Sequence, residues 1–383
     1  MNLGVPTLSP DLERLRLEAR AFADEVVAPG ACERDREKRF PKEVLAAAAA
    51  RGYYGLMVPE IYGGMQAGNL GQSVILEEFA RADASTHVTL SVHNSLVCGP
   101  LLAYGNEDLK RAWLPKLASG QALGAYALTE PHAGSDAAAL SCSAVRDGDS
   151  WVLNGTKMWI TTGTQCDVLL LFARTDKDAP KAKGISAFVV PRQIDGLSAG
   201  KPENKLGIRA SETVQLFFEN VRIPAGNLIG EVNRGFNYAM ETLNGGRIGI
   251  AVQAVGIAQR LVDEVASFLR ERIRNGEKGR TTQDEDFRLA EMATKVEASR
   301  LLCWRAASMR DAKQDHVREA SMAKLFASQS CNEIARAAVE LVGPAAMSGG
   351  HVIERLFRDA RITELYEGTT EVQKLVIART FLR

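Results

Sequence analysis

Three textures follow one another along the chain, and their order limits the architecture more than any single motif does. From Asp11 to about Ser119 the apolar residues recur at helical spacing, as in LERLRLEARAFADEVV, EVLAAAAARG and SVILEEFARA, with punctuation at VPEIYGG and VCGPLLAYG. From about Gly120 to Gly230 short β-branched and aromatic runs take over: SWVLNGTKMWI, VLLLFAR, ISAFVVP and TVQLFFENVRI. From Gly235 the helical period returns, beginning with GFNYAMETLNGGRIGIAVQAVGIAQRLVDEVASFLRERI and continuing through FRLAEMATKVEASRLLCWRAASM and VREASMAKLFASQSCNEIARAAVELV. Segregated helices and strands predict an α+β chain, mainly α, with units at 1–119 (helical), 120–231 (β) and 232–383 (helical). At about 100–200 residues per domain, 383 residues suffice for two or three cores.

Local signals sharpen this division. Asn154-Gly155, between WVL and TKMWI, predicts a type I′ hairpin with Lys157 to Ile160 on its second strand and Trp159 as a strand aromatic. Gly245-Gly246 costs a helix about 1 kcal/mol per glycine against alanine, so the pair points to close approach by something else. Near the C-terminus, Thr370 with Gln373 reads as a capping box ahead of Val372, Leu375 and Val376, so a helix is expected to start near Thr370. Upstream, Ile353, Leu356, Phe357, Ala360 and Leu365 are also helix-spaced, and Gly368 suits a chain leaving a helix. Glu367 therefore falls in a short break between two helices. A glutamate in an arbitrary loop is usually solvated, so its position alone assigns no role.

Composition removes several function classes. Lys plus Arg and Asp plus Glu both number 47, so no basic excess points to nucleic acid or an anionic membrane. Six scattered cysteines without a C-x-x-C pair give neither a disulfide framework nor a metal site, and they suit a reducing compartment. No apolar run approaches a membrane span and the N-terminus lacks a leader pattern, so the expectation is a soluble cytoplasmic protein. No dinucleotide-binding or P-loop glycine pattern is present, so a nucleotide cofactor would need another device. Ser135, His132 and Asp136 share one tight turn and cannot assemble a hydrolytic triad.

Four segments together carry a resemblance. YALTEPHAGSD (Tyr126 to Asp136), KMWITTG (Lys157 to Gly163), LNGGRIGIAVQAVGIAQ and RDARITELYEGTTEVQKLVIAR are similar to the flavin loop, the flavin-facing strand, the active-site helix and the base loop of acyl-CoA dehydrogenases. The match runs over nearly the whole chain. It implies an N-terminal helical domain, a middle β-sandwich or barrel domain and a C-terminal four-helix bundle, with FAD as cofactor. It also implies oxidation of a short or medium acyl-CoA to the trans-2-enoyl thioester, with Glu367 as base and flavin N5 as hydride acceptor. A carboxylate at the α-carbon and donors at the developing enolate are what that proton transfer needs.

By the same resemblance Tyr126, Leu128, Thr129, Gly134, Ser135, Trp159, Ile160, Thr161, Thr369 and Glu371 contact FAD. Ser135, Asn244, Arg247 and Gly368 serve the substrate. Arg272, Gln283, Glu340 and Gly343 reach the FAD of a neighbouring protomer in a dimer of dimers, and an electron-transferring flavoprotein takes the electrons. Alternatives within this reading are an acyl-CoA oxidase, a dehydrogenase of acyl carrier protein thioesters, and a non-catalytic scaffold.

Several positions depart from the family pattern. Members that carry the base on the long helix have it where this chain has Gly246, leaving Glu367 as the one candidate. Glutaryl-type members have an arginine where this chain has His87, which disfavours a dicarboxylyl substrate, although His87 or His93 could bind a polar group. In RIRNGEKGRTTQ, Asn275 replaces an aromatic residue. In ELVGPAAM, Glu340 replaces a glutamine and Pro344 a glycine, and a carboxylate beside a pyrophosphate is repulsive.

Overall fold

The computed structural model describes residues 8–276 and 279–382. The first segment contains α1 (Pro10–Phe22), α2 (Ala31–Glu37), α3 (Lys42–Ala50), α4 (Gly68–Ala82), α5 (Ala84–Ser91), α6 (Gly99–Tyr104) and α7 (Glu107–Ala118). Helix α1 starts where Ser9 accepts the Leu12 N–H and Pro10 presets the first turn. A π-helical stretch, Val92–Cys98, continues α5. Helix α4 is buried from Gly71 to Ala82, and its charges survive there because each has a partner. Glu77 pairs with Arg300 at 2.8 Å, and Glu78 accepts from Arg20 at 2.9 Å and Arg81 at 3.1 Å.

The middle segment is one mixed sheet of β1 (Gly124–Ala127), β2 (Ser143–Asp147), β3 (Ser150–Thr161), β4 (Val168–Arg174), β5 (Ile185–Pro191), β6 (Leu197–Ala199), β7 (Thr213–Pro224) and β8 (Leu228–Ile229). The order is β6-β7-β3-β2-β4-β5-β8, with β1 parallel to β4. Side chains alternate along β4: Leu169 and Leu171 join Phe188, Val214 and Leu216 in one core, while Leu170 and Phe172 join Leu101, Leu114 and Ala239 in another. Both faces are covered, which is why β4 reads as a continuous apolar run.

One sequence expectation fails here. The hairpin turn lies between Asp147 and Ser150 at Gly148 (φ 57), and β3 continues through Asn154-Gly155 with only a shift of register against β7. Asn154 instead exchanges hydrogen bonds with Asn220 on β7, at 2.8 and 3.1 Å. Gly155 lies against β2, where a Cβ would meet Cys142 Cα at 2.7 Å. Cross-strand contacts on both sides of β3 therefore override the turn signal. Trp159 lies on β3 as expected, but in irregular geometry. The β3–β7 register shifts between Lys157 and Ile160, and Trp159 sits in that bulge with φ 60.

The last segment consists of α8 (Gly235–Arg274), α9 (Gln283–Asp311), α10 (Val317–Val342), α11 (Val352–Ala360) and α12 (Thr370–Phe381). Every residue of α8 from Gly245 to Ala258 is buried, because α4 and α10 both pack on it. Gly256 permits the α4 contact: a Cβ there would lie 2.5 Å from Ala80 Cβ. The capping residue of α12 is Thr369, one position before the expected Thr370, and its hydroxyl accepts the Val372 N–H at 3.4 Å. Gln373 does not close a capping box; its buried amide reaches back to Gly368 O at 2.9 Å.

Candidate active site

Where the three segments meet, a cavity of about 580 Å³ opens. Its apolar wall comes from Val88, Val92 and Leu96 beside α5, with Met240 and Leu243 of α8. The loop after β1 supplies Leu128, Thr129, Gly134 and Ser135 behind Tyr126, and the β3 bulge supplies Trp159, Ile160 and Thr161. Tyr366, Glu367, Gly368 and Thr369 complete it opposite Arg247. The β1 loop and β3 are tied by a buried ion pair, Lys157 Nζ to Glu130 Oε1 at 2.8 Å, while Lys157 also donates to Leu128 O at 2.9 Å.

Glu367 is the chemical centre. Its backbone is left-handed (φ 50), followed by Gly368 (φ 95), so the chain turns sharply between α11 and α12 and presents the side chain inward. The residue as a whole is half-buried, but Oε2 is wholly buried and has no hydrogen-bond partner among the described residues. Burial pushes the carboxyl up to about 7, against the opposing charges of Lys324 and Arg247. A Cβ at Gly246 would lie 1.9 Å from Oε2, and one at Gly245 would lie 1.6 Å from Arg310 Nη1. Both glycines of the pair therefore serve close approach, as expected.

Two further polar atoms at the cavity lack partners: the Tyr126 hydroxyl and Arg247 Nε. Arg247 Nη1 donates to Asn244 Oδ1 at 2.8 Å and to Ser321 Oγ at 3.3 Å. Asn244 thus holds Arg247 rather than lining the cavity. The Tyr366 hydroxyl donates to Gln253 Oε1, and Gln253 donates in turn to Ala84 O at 2.9 Å. Tyr366 is thereby fixed beside Glu367.

The remaining expected positions lie elsewhere in a single chain. Glu371 is exposed in the first turn of α12. Arg272 pairs with Glu285 at 2.8 Å, Gln283 opens α9 at the surface, Glu340 pairs with Arg288 at 2.5 Å, and Gly343 caps α10 with φ 80. Part of the Arg272-to-Gln283 segment, residues 277 and 278, lies outside the described residues. His87 and His93 do not line the cavity. His93 Nδ1 accepts the Gly124 N–H at 3.1 Å and its Nε2 faces Leu117 O at 3.2 Å, while burial pushes His87 down to about 3, so it is neutral.

Sequence reasoning missed Lys324 and Gln373, both buried and both donating to Gly368 O. A signal existed: Lys324 stands in the stripe Ser321, Lys324, Ser328, Cys331, where helical spacing predicts core.

Models of the acyl-CoA dehydrogenase N-terminal, middle and C-terminal domains match residues 9–121, 125–221 and 233–382. The chain is 45% identical over 371 residues to the mitochondrial short-chain specific acyl-CoA dehydrogenase of Mus musculus, covering 97% of this chain and 90% of that one. It is 40% identical over 370 residues to the caffeyl-CoA reductase-Etf complex subunit CarC of Acetobacterium woodii, covering 96% and 97%. The structure of butyryl-CoA dehydrogenase from Megasphaera elsdenii superposes with a TM-score of 0.95 at 36% identity, covering 99% of this chain and 100% of that one.

Proposed function

The chain belongs to the acyl-CoA dehydrogenase family, FAD-dependent oxidoreductases of the acyl-CoA CH–CH bond, and from that premise we propose that Glu367 removes the α-proton of a short or medium acyl-CoA thioester. The observation that carries this reading is the Glu367 carboxyl: buried, unpartnered at Oε2, at the cavity, and poised near neutrality by burial.

The residues fit FAD. An orphaned Tyr126 hydroxyl and Trp159 in the β3 bulge, 53% exposed, give one side of the cavity a polar contact and a flat aromatic surface. Tyr126, Leu128, Thr129, Gly134, Ser135, Trp159, Ile160, Thr161 and Thr369 would hold the flavin end, with Glu371 at the edge. FAD supplies the hydride acceptor, N5, for the substrate β-carbon.

The chain's own groups do the rest. Glu367 takes the α-proton. Gly368, without a side chain, leaves the thioester oxygen access to backbone N–H donors, and charge developing there is stabilised by donors fixed in advance. Arg247, anchored by Asn244 and Ser321, keeps a cation beside the carboxylate. Val88, Val92, Leu96 and Leu243 pack against the acyl chain and exclude water, which strengthens each of these interactions.

An electron-transferring flavoprotein is the acceptor in this reading, supported by the CarC relative being a subunit of a caffeyl-CoA reductase-Etf complex. Rapid reoxidation of the bleached flavin in air would instead identify an oxidase. Arg272, Gln283, Glu340 and Gly343 lie away from the cavity of their own chain, which supports their serving a neighbouring protomer's FAD in a dimer of dimers. The free cysteines suit a cytoplasmic setting. The test of the base is Glu367→Gln: FAD content and butyryl-CoA binding should persist while bleaching by butyryl-CoA is lost. Turnover within about tenfold of wild type, only ~1.4 kcal/mol of barrier, would refute it.

A further inference from the structure

Lys324 has no part in the reading above, yet it is a buried cation at the back of the base loop. It lies on α10 with 0% exposure, and its ammonium donates to Gly368 O at 2.8 Å. Gln373 in the first turn of α12, also fully buried, donates to the same oxygen at 2.9 Å and to Glu367 O at 3.4 Å. The two side chains clamp the left-handed pair Glu367–Gly368 from behind. For a residue with a Cβ that conformation costs about 1–2 kcal/mol, so the loop needs such support. The clamp closes on a glycine: a Cβ at Gly368 would lie 2.5 Å from Gln373 Nε2.

A carbonyl can be held by a neutral donor, and Gln373 already does so. Burying an ammonium costs several kcal/mol more than burying an amide. What the lysine adds is charge. The charged and titratable groups that face Glu367 are Lys324 from α10, Arg247 from α8, Tyr126 from β1 and Tyr366 from its own loop. Around Lys324 stand Glu367, Glu364, Glu371 and Arg247. Between the two cations Lys324 acts more strongly on Glu367.

We propose that Lys324 is a positioning residue for the dehydrogenation, fixing the peptide that carries Glu367 and placing a buried positive charge beside its carboxylate. The proposal rests on Glu367 being the base. Burial raises the carboxyl, and the ammonium opposes that while anchoring the loop through Gly368 O.

The test compares FAD-loaded wild type, Lys324→Gln, Lys324→Arg, Gln373→Leu and Glu367→Gln. Two readouts are followed against pH: kcat/KM with butyryl-CoA, and exchange of its α-proton with deuterated water by NMR. Lys324→Gln keeps a donor but loses the charge, so its acid limb should move up by about one pH unit. Lys324→Arg should restore the limb, and Gln373→Leu should lower kcat at every pH without moving it. An acid limb in Lys324→Gln within about 0.3 pH unit of wild type would overturn the proposal, since removing a buried cation that acts on the carboxyl must raise it. Gln373→Leu gives a test that needs no Lys324 variant to fold: a limb displaced by it would show that loop geometry, not charge, sets the base. Turnover by Glu367→Gln would overturn the base itself. Its inactivity with an unmoved limb in Lys324→Gln would overturn only the role of Lys324.

Discussion

Replacing Glu367 with glutamine should stabilise the protein, and by an amount that grows with pH. The carboxyl is raised from 4.5 to about 7 in the folded chain, chiefly by burial. A group whose folded value is raised contributes its full stability below the unfolded value and loses it as pH climbs through the folded one. Below about 4.5 both states carry the proton and glutamate costs no more than glutamine. Between 4.5 and about 7 the unfolded chain releases a proton that the folded chain keeps, so unfolding becomes easier as pH rises. At about 1.4 kcal/mol per pH unit, the gap amounts to roughly 3 kcal/mol, complete above pH 7. The opposing pull of Lys324 and Arg247 is already contained in that value, so it takes nothing further from the gain. The assay is thermal unfolding of FAD-loaded wild type and Glu367→Gln from pH 5 to pH 8.5 without acyl-CoA. The variant should match wild type at the acid end and melt several degrees higher at the alkaline end. A difference that stays flat with pH, or a wild type that is the more stable at pH 8, would refute the reasoning.

Lys157→Met should cost about 3–5 kcal/mol, because it strands Glu130 in the core between the loop after β1 and β3. Glu130 keeps its bonds from Ser141 N and Cys142 N, at 2.7 and 2.9 Å, which places the loss near the lower figure; melting temperature and the flavin-to-protein absorbance ratio should fall together. Arg272→Ala should loosen FAD more than it slows cofactor-saturated turnover, with FAD and self-association linked by mass action. Sedimentation with FAD titrated in checks this, and a fully flavinated, active monomer would contradict it.

The helix–sheet–helix order was legible because each texture reflects its burial: period 3.6 where one helical face is covered, continuous apolar runs where both faces of a strand are. The candidate base was legible for a different reason. Glu367, Gly368 and the Gly245-Gly246 pair are positions where local propensity loses to a contact, and such conflicts mark a site. What could not be read is what depends on distant partners. Asn154-Gly155 has the composition of a hairpin turn, and only Asn220 and Cys142, brought alongside by β7 and β2, keep it in a strand. Thr369 and Thr370 are equally good caps in sequence, and the left-handed pair before them selects Thr369. The stripe that holds Lys324 marks it as core, but its contact appears only once α10 is seen to carry it under the Glu367 loop.

The same dependence on partners answers the concern raised by Glu340. A carboxylate in place of the family's glutamine would repel a pyrophosphate if it stood alone. In the fold it stands 2.5 Å from Arg288 Nη2, across from α10 on α9, so the substitution introduces a charge that the chain itself neutralises. At such a distance the pair acts as a dipole, and its field fades well within the ~8–10 Å over which lone charges are felt at physiological salt. Arg272 is likewise engaged, by Glu285 at 2.8 Å, and stacks 5.3 Å from the centre of the Phe268 ring. Pro344 follows Gly343 into a tight turn and has no N–H to offer. If the proposed dimer of dimers holds, neither Glu340 nor Arg272 brings a lone charge to a neighbour's cofactor. Arg272 would then exchange a carboxylate for a phosphate of similar geometry. Such an exchange would be close to balanced, and the grip on FAD would depend on how rigidly α8 and α9 hold Arg272 in place.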